Sequence, residues 1–95
     1  MNPPTDRLWP IYVADRRGYS IYLTRERWDH ALGHPGMSHD LLEVLLETIR
    51  SGRRRQDAYT TDKVIYTLES FDLPDPYTHM VAIVKMGWRY RTTEA

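Results

Sequence analysis

The sequence contains no cysteine, a single phenylalanine and no long run of apolar residues. Without cysteine, the chain has neither a disulfide framework nor a thiolate that could bind zinc or act as a nucleophile. No apolar run approaches the roughly 20 residues that a membrane-spanning helix needs. The N-terminus MNPPTDRLWP also lacks the basic start and the apolar core of a signal peptide. We therefore expect an unprocessed cytoplasmic protein with no membrane partner.

The chain has no net charge, because its 13 Lys and Arg residues balance its 13 Asp and Glu residues. The whole molecule therefore exerts no general attraction on nucleic acid. Its charges are nevertheless clustered, with acidic residues upstream of a basic group that comprises Arg50, Arg53, Arg54 and Arg55. This local polarity is compatible with binding to a phosphate backbone.

The length of 95 residues and the hydrophobic fraction of 41% predict a single folded domain that spans residues 1–95, with residues 1–7 frayed. Alternating apolar residues predict strands at 8–13 and 19–23, which form a hairpin around the turn 15–18. Thr24 is a good N-cap for a short helix that buries Trp28, and Gly33 suits the left-handed residue that ends such a helix.

A second helix is predicted from a Ser38 cap to Gly52, where a C-cap belongs. Four further strands are predicted at residues 54–59, 63–71, 79–86 and 88–93, separated by short turns. The predicted fold class is α+β, with an N-terminal hairpin or strands and two helices packed on one face of an antiparallel β-meander sheet.

Several short motifs occur in a distinctive order between residues 21 and 91. A strand ends in Leu23-Thr24, a helix carries Arg27-Trp28-x-His30, and His34-Pro35-x-Met37 follows, before a leucine-rich helix and a basic strand. This order resembles that of small phage and bacterial proteins, often of unknown function, that are grouped with the barnase, EndoU, colicin and RelE-like nucleases. The resemblance implies helices against a four-stranded antiparallel sheet and a metal-independent endoribonuclease. It also implies RNA as a partner, with a toxin-like activity that an inhibitor or antitoxin protein restrains.

His30 and His34 allow two functional interpretations. On a continuous helix their spacing of four would place both on one face, as in a zinc pair, but Gly33 and Pro35 interrupt the helix and no third ligand stands out. We therefore expect neither a metal nor another cofactor. The alternative is acid–base catalysis, for which histidine titrates in a suitable range.

Cleavage of RNA by its own 2′-hydroxyl needs a base, an acid and a cation that stabilises the charged phosphorane. The candidate catalytic residues are His30, His34 and Lys85. The candidate substrate-binding residues are Arg53, Arg54, Arg55, Tyr66 and Thr92, which would contact phosphate, stack on a base or donate a hydrogen bond. The competing hypothesis is a non-catalytic module of the same fold that binds protein or nucleic acid through its sheet.

Overall fold

The computed structural model describes residues 8–87 and the backbone of residues 91–94. Its elements follow in the chain order β1 (Ile11–Ala14), β2 (Ser20–Leu23), α1 (Arg25–Ala31), a 3-10 turn (His39–Leu41), α2 (Leu42–Ser51), β3 (Arg53–Gln56), β4 (Lys63–Glu69), β5 (His79–Met86) and β6 (Arg91–Glu94). The segment 1–7 that was predicted to fray, and residues 88–90 of the predicted last strand, lie outside the described residues.

The strands form one six-stranded sheet in the order β1-β2-β6-β5-β4-β3. Strands β3 to β6 make an antiparallel meander, and β1 and β2 make an antiparallel hairpin. The hairpin joins the meander through a parallel pairing of β2 with β6, at Tyr22 opposite Thr92. The predicted α+β class, with helices packed on a meander sheet, is confirmed. The parallel pairing of β2 with β6, which joins the hairpin to the meander, was not predicted.

Helix α1 begins as predicted, because the Thr24 side chain accepts a hydrogen bond from the amide of Arg27 at 3.2 Å. Trp28 is fully buried on the inner side of this helix. The prediction for its end is wrong: among the described residues only Gly18 and Gly36 have a positive φ, so Gly33 is not left-handed. A hydrogen bond from the Gly33 amide to the His30 carbonyl, at 3.1 Å, tightens the last turn instead.

The region before α2 also differs from the prediction. Ser38 does not cap the helix with its side chain, and its hydroxyl donates to the Asp40 carboxylate at 2.8 Å. This hydrogen bond lowers the pKa of Asp40 below its usual value. A 3-10 turn at His39–Leu41 therefore precedes α2, which begins at Leu42. None of the described helices has the length and the apolar character that crossing a bilayer requires.

The core lies between α2 and the sheet. Alternate residues of β4 and β5 are buried against the helices, and Val64, Tyr66, Met80, Ala82 and Val84 supply this inner face. Because strand side chains alternate between faces, the residues between them point to the opposite, outer face of the sheet. Strands β3 and β4 end earlier than predicted, at Gln56 and Glu69 rather than at residues 59 and 71.

The sheet is strongly curved. Strands β1 and β3 are its two outer strands, yet Asp15, which follows β1, contacts Tyr66 of β4 and Arg54 of β3. Helix α2 contacts β1 as well as β4 and β5. The sheet therefore wraps around α2 and brings its two ends together on one side of the helix.

Gly52 is required by a close approach of the backbone at the end of α2. A Cβ atom at this position would overlap the Thr48 carbonyl oxygen and would lie 2.9 Å from that of Thr67. Gly52→Ala should therefore lower the free energy of unfolding by about 3 kcal/mol, because backbone atoms must move. Urea unfolding followed by circular dichroism measures this loss.

Gly18→Ala is the matched control. Gly18 has a φ of +85°, but no atom lies within 4 Å of the position that its Cβ would take, so the substitution should cost only about 1 kcal/mol of backbone strain. Equal losses in the two variants would contradict the steric account of Gly52.

Candidate functional site

Some of the residues selected from the sequence line one of two clefts, and others lie outside both. The first, which we name the apolar cleft, has a volume of about 280 Å³ and lies between α1, the loop that follows it and residues 79–83 of β5. The second, the arginine cleft, has a volume of about 540 Å³ and is lined by Arg16, Arg17, Arg53 and Arg54. The two clefts have different chemistry, and each contains only part of the predicted site.

His30 and His34 lie next to each other on the surface. Their ring centroids are 5.8 Å apart in an edge-to-face arrangement, although α1 ends between them. The amide of His34 donates to the Ala31 carbonyl at 3.1 Å, which continues the helical path for one more turn. Within the described residues, no group of three or more histidine and carboxylate side chains is arranged to hold a metal ion. The pair therefore lacks a third ligand there.

Lys85 does not join the two histidines. It lies near the end of β5, and its neighbour Val84 points into the core, so Lys85 is on the outer face of the sheet. His34 lines the apolar cleft, which reaches β5 only along residues 79–83, and Lys85 lines neither cleft. Neither of the two clefts therefore contains His30, His34 and Lys85 together, although shared acid–base catalysis would require them around one cleft.

The basic cluster divides between several places. Arg53 and Arg54 line the arginine cleft, whereas Arg55 is exposed outside it. Arg50 pairs with Glu47 one turn away on α2. Hydrogen bonds from Ser51 and then Arg50 lower the pKa of Glu47.

The two remaining predicted substrate-binding residues, Tyr66 and Thr92, lie in different places. Tyr66 lines the arginine cleft and stands opposite Arg54 in the pairing of β3 with β4. Thr92 lies opposite Lys85 in the backbone register of β5 and β6, and its side chain is outside the described residues.

A buried carboxylate organises the arginine cleft. Asp15 is only 6% exposed, and its Oδ1 accepts hydrogen bonds from the amides of Arg17 and Tyr19, each at 2.9 Å. Its Oδ2 accepts a hydrogen bond from the Tyr66 hydroxyl at 2.6 Å. The Arg54 Nε atom lies 3.9 Å from the same oxygen. These contacts satisfy a buried charge that would otherwise be strongly destabilising.

Arg54 is held without a close hydrogen bond at its Nε atom. Within the described part of the chain, this buried nitrogen has no hydrogen-bond partner. The guanidinium carbon lies 5.8 Å from the centroid of the Tyr19 ring, within the range of a cation–π contact. The charge of Asp15 and the Tyr19 ring therefore fix the guanidinium, while its side chain remains 23% exposed at the cleft.

The hydroxyl of Tyr66 stays protonated well into the alkaline range. Burial, followed by the hydrogen bond to Asp15, raises the pKa of Tyr66 from 10.0 to about 12. A phenolate here would lie beside the Asp15 carboxylate, which explains the direction of the shift. Tyr66 is therefore a hydrogen-bond donor to Asp15, and its role in the cleft is to fix that carboxylate.

The wall of the arginine cleft also carries a histidine and a carboxylate. His79 stands opposite Glu69 in the pairing of β4 with β5, and both residues line the cleft. The His79 Nε2 atom is 3.9 Å from a Glu69 carboxylate oxygen. The other ring nitrogen, Nδ1, is 2.8 Å from the Thr78 hydroxyl. These contacts orient the imidazole with one nitrogen towards Glu69.

Sequence reasoning did not select Arg16, Arg17, Glu69 or His79 as site residues. The first two occupy a hairpin turn, where charged residues are usually solvated, and their sequence carries no sign of a contact with β3. Glu69 and His79 flank a loop, and only the strand register shows that they are neighbours. The alternation of Val64, Tyr66 and Leu68 did indicate that Tyr66 faces the same way as the core residue Val64.

No family model, no curated protein and no solved structure matches the chain. The nuclease resemblance therefore stays a hypothesis that rests on the sequence motifs, and the site must be interpreted from its own geometry.

Tyr66→Phe should lower the free energy of unfolding at neutral pH by about 1–3 kcal/mol, because the buried Asp15 oxygen loses its donor. The substitution should also change how the free energy of unfolding depends on pH in the alkaline range. The raised pKa of Tyr66 contributes stability that is fully present below pH 10 and is lost as the pH rises to about 12. Tyr66→Phe has no hydroxyl to ionise, so it should lose less stability than wild type between pH 10 and pH 12. Urea unfolding at several pH values measures this difference.

Tyr12→Phe is the control, since Tyr12 is 67% exposed and has no part in the Asp15 contacts. If wild type and Tyr66→Phe lose stability equally between neutral pH and pH 12, the account of the Tyr66 hydroxyl is wrong.

Proposed function

We propose that the protein binds RNA through the arginine cleft and cleaves it there as a metal-independent endoribonuclease. The observation that carries the proposal is the convergence of Arg16 and Arg17, from the β1–β2 turn, with Arg53 and Arg54 of β3. Of these four, Arg54 lies close to the buried Asp15 carboxylate. The geometry favours an anionic ligand with several oxygens, such as a phosphodiester.

The charge distribution supports a local rather than a global attraction. The chain as a whole is neutral, so a polyanion is drawn to the arginine cleft and not to the molecule as a whole. Guanidinium groups bind phosphate oxygens with paired hydrogen bonds, and such contacts weaken as salt rises. Glu69 is the one acidic residue that lines this cleft among the described residues.

The cleft also offers the groups that RNA transesterification needs. In the proposed step, the Glu69 carboxylate takes the proton of the ribose 2′-hydroxyl, whose oxygen attacks phosphorus. The bond from phosphorus to the 5′-oxygen breaks, and protonated His79 gives its proton to that oxygen. The products are a 2′,3′-cyclic phosphate and a free 5′-hydroxyl. The arginines stabilise the negative charge that develops on the phosphorane.

The second candidate is a non-catalytic module that binds RNA in the same cleft. The observation in its favour is that the His79 and Glu69 side chains are 48% and 62% exposed, so water weakens their mutual interaction. Both candidates share the phosphate-binding step, and only cleavage separates them. The endoribonuclease proposal, unlike the binding module, includes a toxin-like activity that an inhibitor protein restrains.

Loss of two arginines from the β1–β2 turn should weaken binding to RNA. Arg16→Gln combined with Arg17→Gln should raise the Kd for a fluorescent single-stranded RNA of about ten nucleotides by tenfold or more. The slope of log K against log salt should fall by about 0.7 for each phosphate contact that is lost. Fluorescence anisotropy at several salt concentrations measures both quantities.

The matched control is Arg25→Gln combined with Arg27→Gln, which removes the same charge from α1, outside the arginine cleft. Equal weakening by the two double variants would show that general charge, and not the cleft, attracts the RNA.

Purified protein should cut a mixed-sequence RNA in the presence of EDTA. His79→Ala and Glu69→Gln should each reduce the cleavage rate by about 10²–10⁴, because each removes a proton-transfer group. His30→Ala combined with His34→Ala should leave the rate unchanged, which separates this assignment from the one based on sequence. Gel analysis of end-labelled RNA, with detection of the cyclic phosphate, gives the rate.

Intact RNA after incubation over a range of pH, with binding retained, would reject the enzyme and leave the binding module. Loss of cleavage only in the His30 and His34 variant would instead reject the assignment of His79 and Glu69.

A further inference from the structure

The three consecutive arginines of β3 are divided between the two faces of the sheet. Arg54 stands opposite the buried Tyr66 and lies beside Asp15, so its side chain is on the inner face. Because side chains alternate along a strand, Arg53 and Arg55 lie on the outer face. Both are exposed, whereas Arg54 is partly buried. Arg54 is therefore held by the fold, and its two neighbours present their guanidinium groups to solvent.

Arg53 and Arg55 have no internal partner in the part of the chain that the structure describes. None of the ion pairs or side-chain hydrogen bonds within residues 8–87 includes either guanidinium group. The two residues are separated by about 7 Å along the strand, at the rise of an antiparallel strand. Like charges at this spacing repel each other, and a bound anion would relieve that repulsion.

The strand register places these two arginines in line with the proposed catalytic pair. The outward-facing residues of β4 follow one another at intervals of two, and they are Glu69, Thr67 and Ile65. His79 is paired with the first of them, Arg53 with the second and Arg55 with the third. Successive rows are about 7 Å apart. Arg53 therefore lies one row from the proton-transfer groups, and Arg55 lies two rows from them.

The neighbouring strands supply an uncharged surface beside these cations. Thr67 and Ile65 are partly exposed on β4, and Val81, which is paired with Thr67, is 51% exposed on β5. The described part of this face is thus cationic along the outer strand and uncharged beside it. An extended nucleotide chain has the same division, with phosphates along one side and bases along the other, and its phosphates are spaced comparably to the rows.

We propose that RNA leaves the arginine cleft along the outer face of β3, where Arg53 and Arg55 bind the two phosphates that follow the cleaved one. We name this pair of arginines the β3 track. The inference rests on the proposed function, because the row of Glu69 and His79 fixes where the track begins. Arg53 lines the cleft and Arg55 lies outside it, so the RNA site is longer than the cleft. Each guanidinium group can give paired hydrogen bonds to phosphate oxygens.

The test compares 2′-O-methyl RNA of two and of four nucleotides. The proposed reaction cannot cleave these probes, because the attacking hydroxyl is blocked. A dinucleotide has one phosphate and fills only the catalytic row, whereas a tetranucleotide has three and fills the β3 track as well. Arg55→Gln should therefore raise the Kd of the tetranucleotide at least fivefold and leave that of the dinucleotide within twofold. Titrations followed in ¹H–¹⁵N spectra of the protein measure both constants.

A matched variant and a matched ligand locate the contact. Arg25→Gln removes the same charge from α1, outside the arginine cleft, and should leave both constants within twofold. Replacing the terminal phosphate of the tetranucleotide that meets Arg55 by an uncharged methylphosphonate should weaken binding to wild type as much as Arg55→Gln does. The two changes together should cost no more than either alone, because they remove the same interaction.

Equal weakening of the two probes by Arg55→Gln, or equal effects of Arg55→Gln and Arg25→Gln, would overturn the β3 track in favour of general charge. If Arg55→Gln changes neither constant while Arg16→Gln with Arg17→Gln weakens both, the track is wrong and the arginine cleft remains the RNA site. If wild type binds neither probe, the proposed function fails and the track fails with it. Tighter binding of a glutamate tetrapeptide than of the tetranucleotide would assign this face to an acidic protein and reject RNA as its occupant.

Discussion

The buried carboxylate of Asp15 is the interaction on which the rest of the structure depends. It accepts two backbone hydrogen bonds within its own turn and one from the Tyr66 hydroxyl on the far part of the sheet. A buried charge is tolerated only when it is paired and fully hydrogen-bonded, so these contacts must form together. Asp15 thereby fixes the shape of the hairpin turn and the distance between the two ends of the sheet.

The arginine cleft is a consequence of that constraint. Arg16 and Arg17 occupy the turn that Asp15 organises, and Arg54 is held beside the same carboxylate. Guanidinium groups from separate segments repel one another, and one buried negative charge offsets part of that repulsion without occupying the cleft surface. The cleft therefore keeps a positive surface at a tolerable cost in stability, which is the condition for binding an external anion.

Local sequence patterns were sufficient to predict much of the fold. The Thr24 cap, the buried Trp28, the leucine-rich α2 and the alternation in β4 depend on neighbouring residues, and all were confirmed. The left-handed Gly33 was wrong, because a tightened last turn satisfied the same carbonyl groups. The site was harder to predict, because it depends on which strands are neighbours. Lys85 was grouped with the histidines because of its chemistry alone, but the alternation of side chains along β5 places it on the outer face of the sheet. Arg16 and Arg17 were overlooked because their cleft is completed by residues far along the chain.

The contact between Asp15 and Tyr66 joins positions that are 51 residues apart in the chain. Closing a loop of that length has a large entropic cost, which is recovered only when the intervening helices and strands are already packed. A nascent or partly folded chain therefore has the arginines but not the cleft. In the proposed function, binding to a phosphate backbone therefore requires the completed fold, and the protein would not act on RNA before its folding is finished.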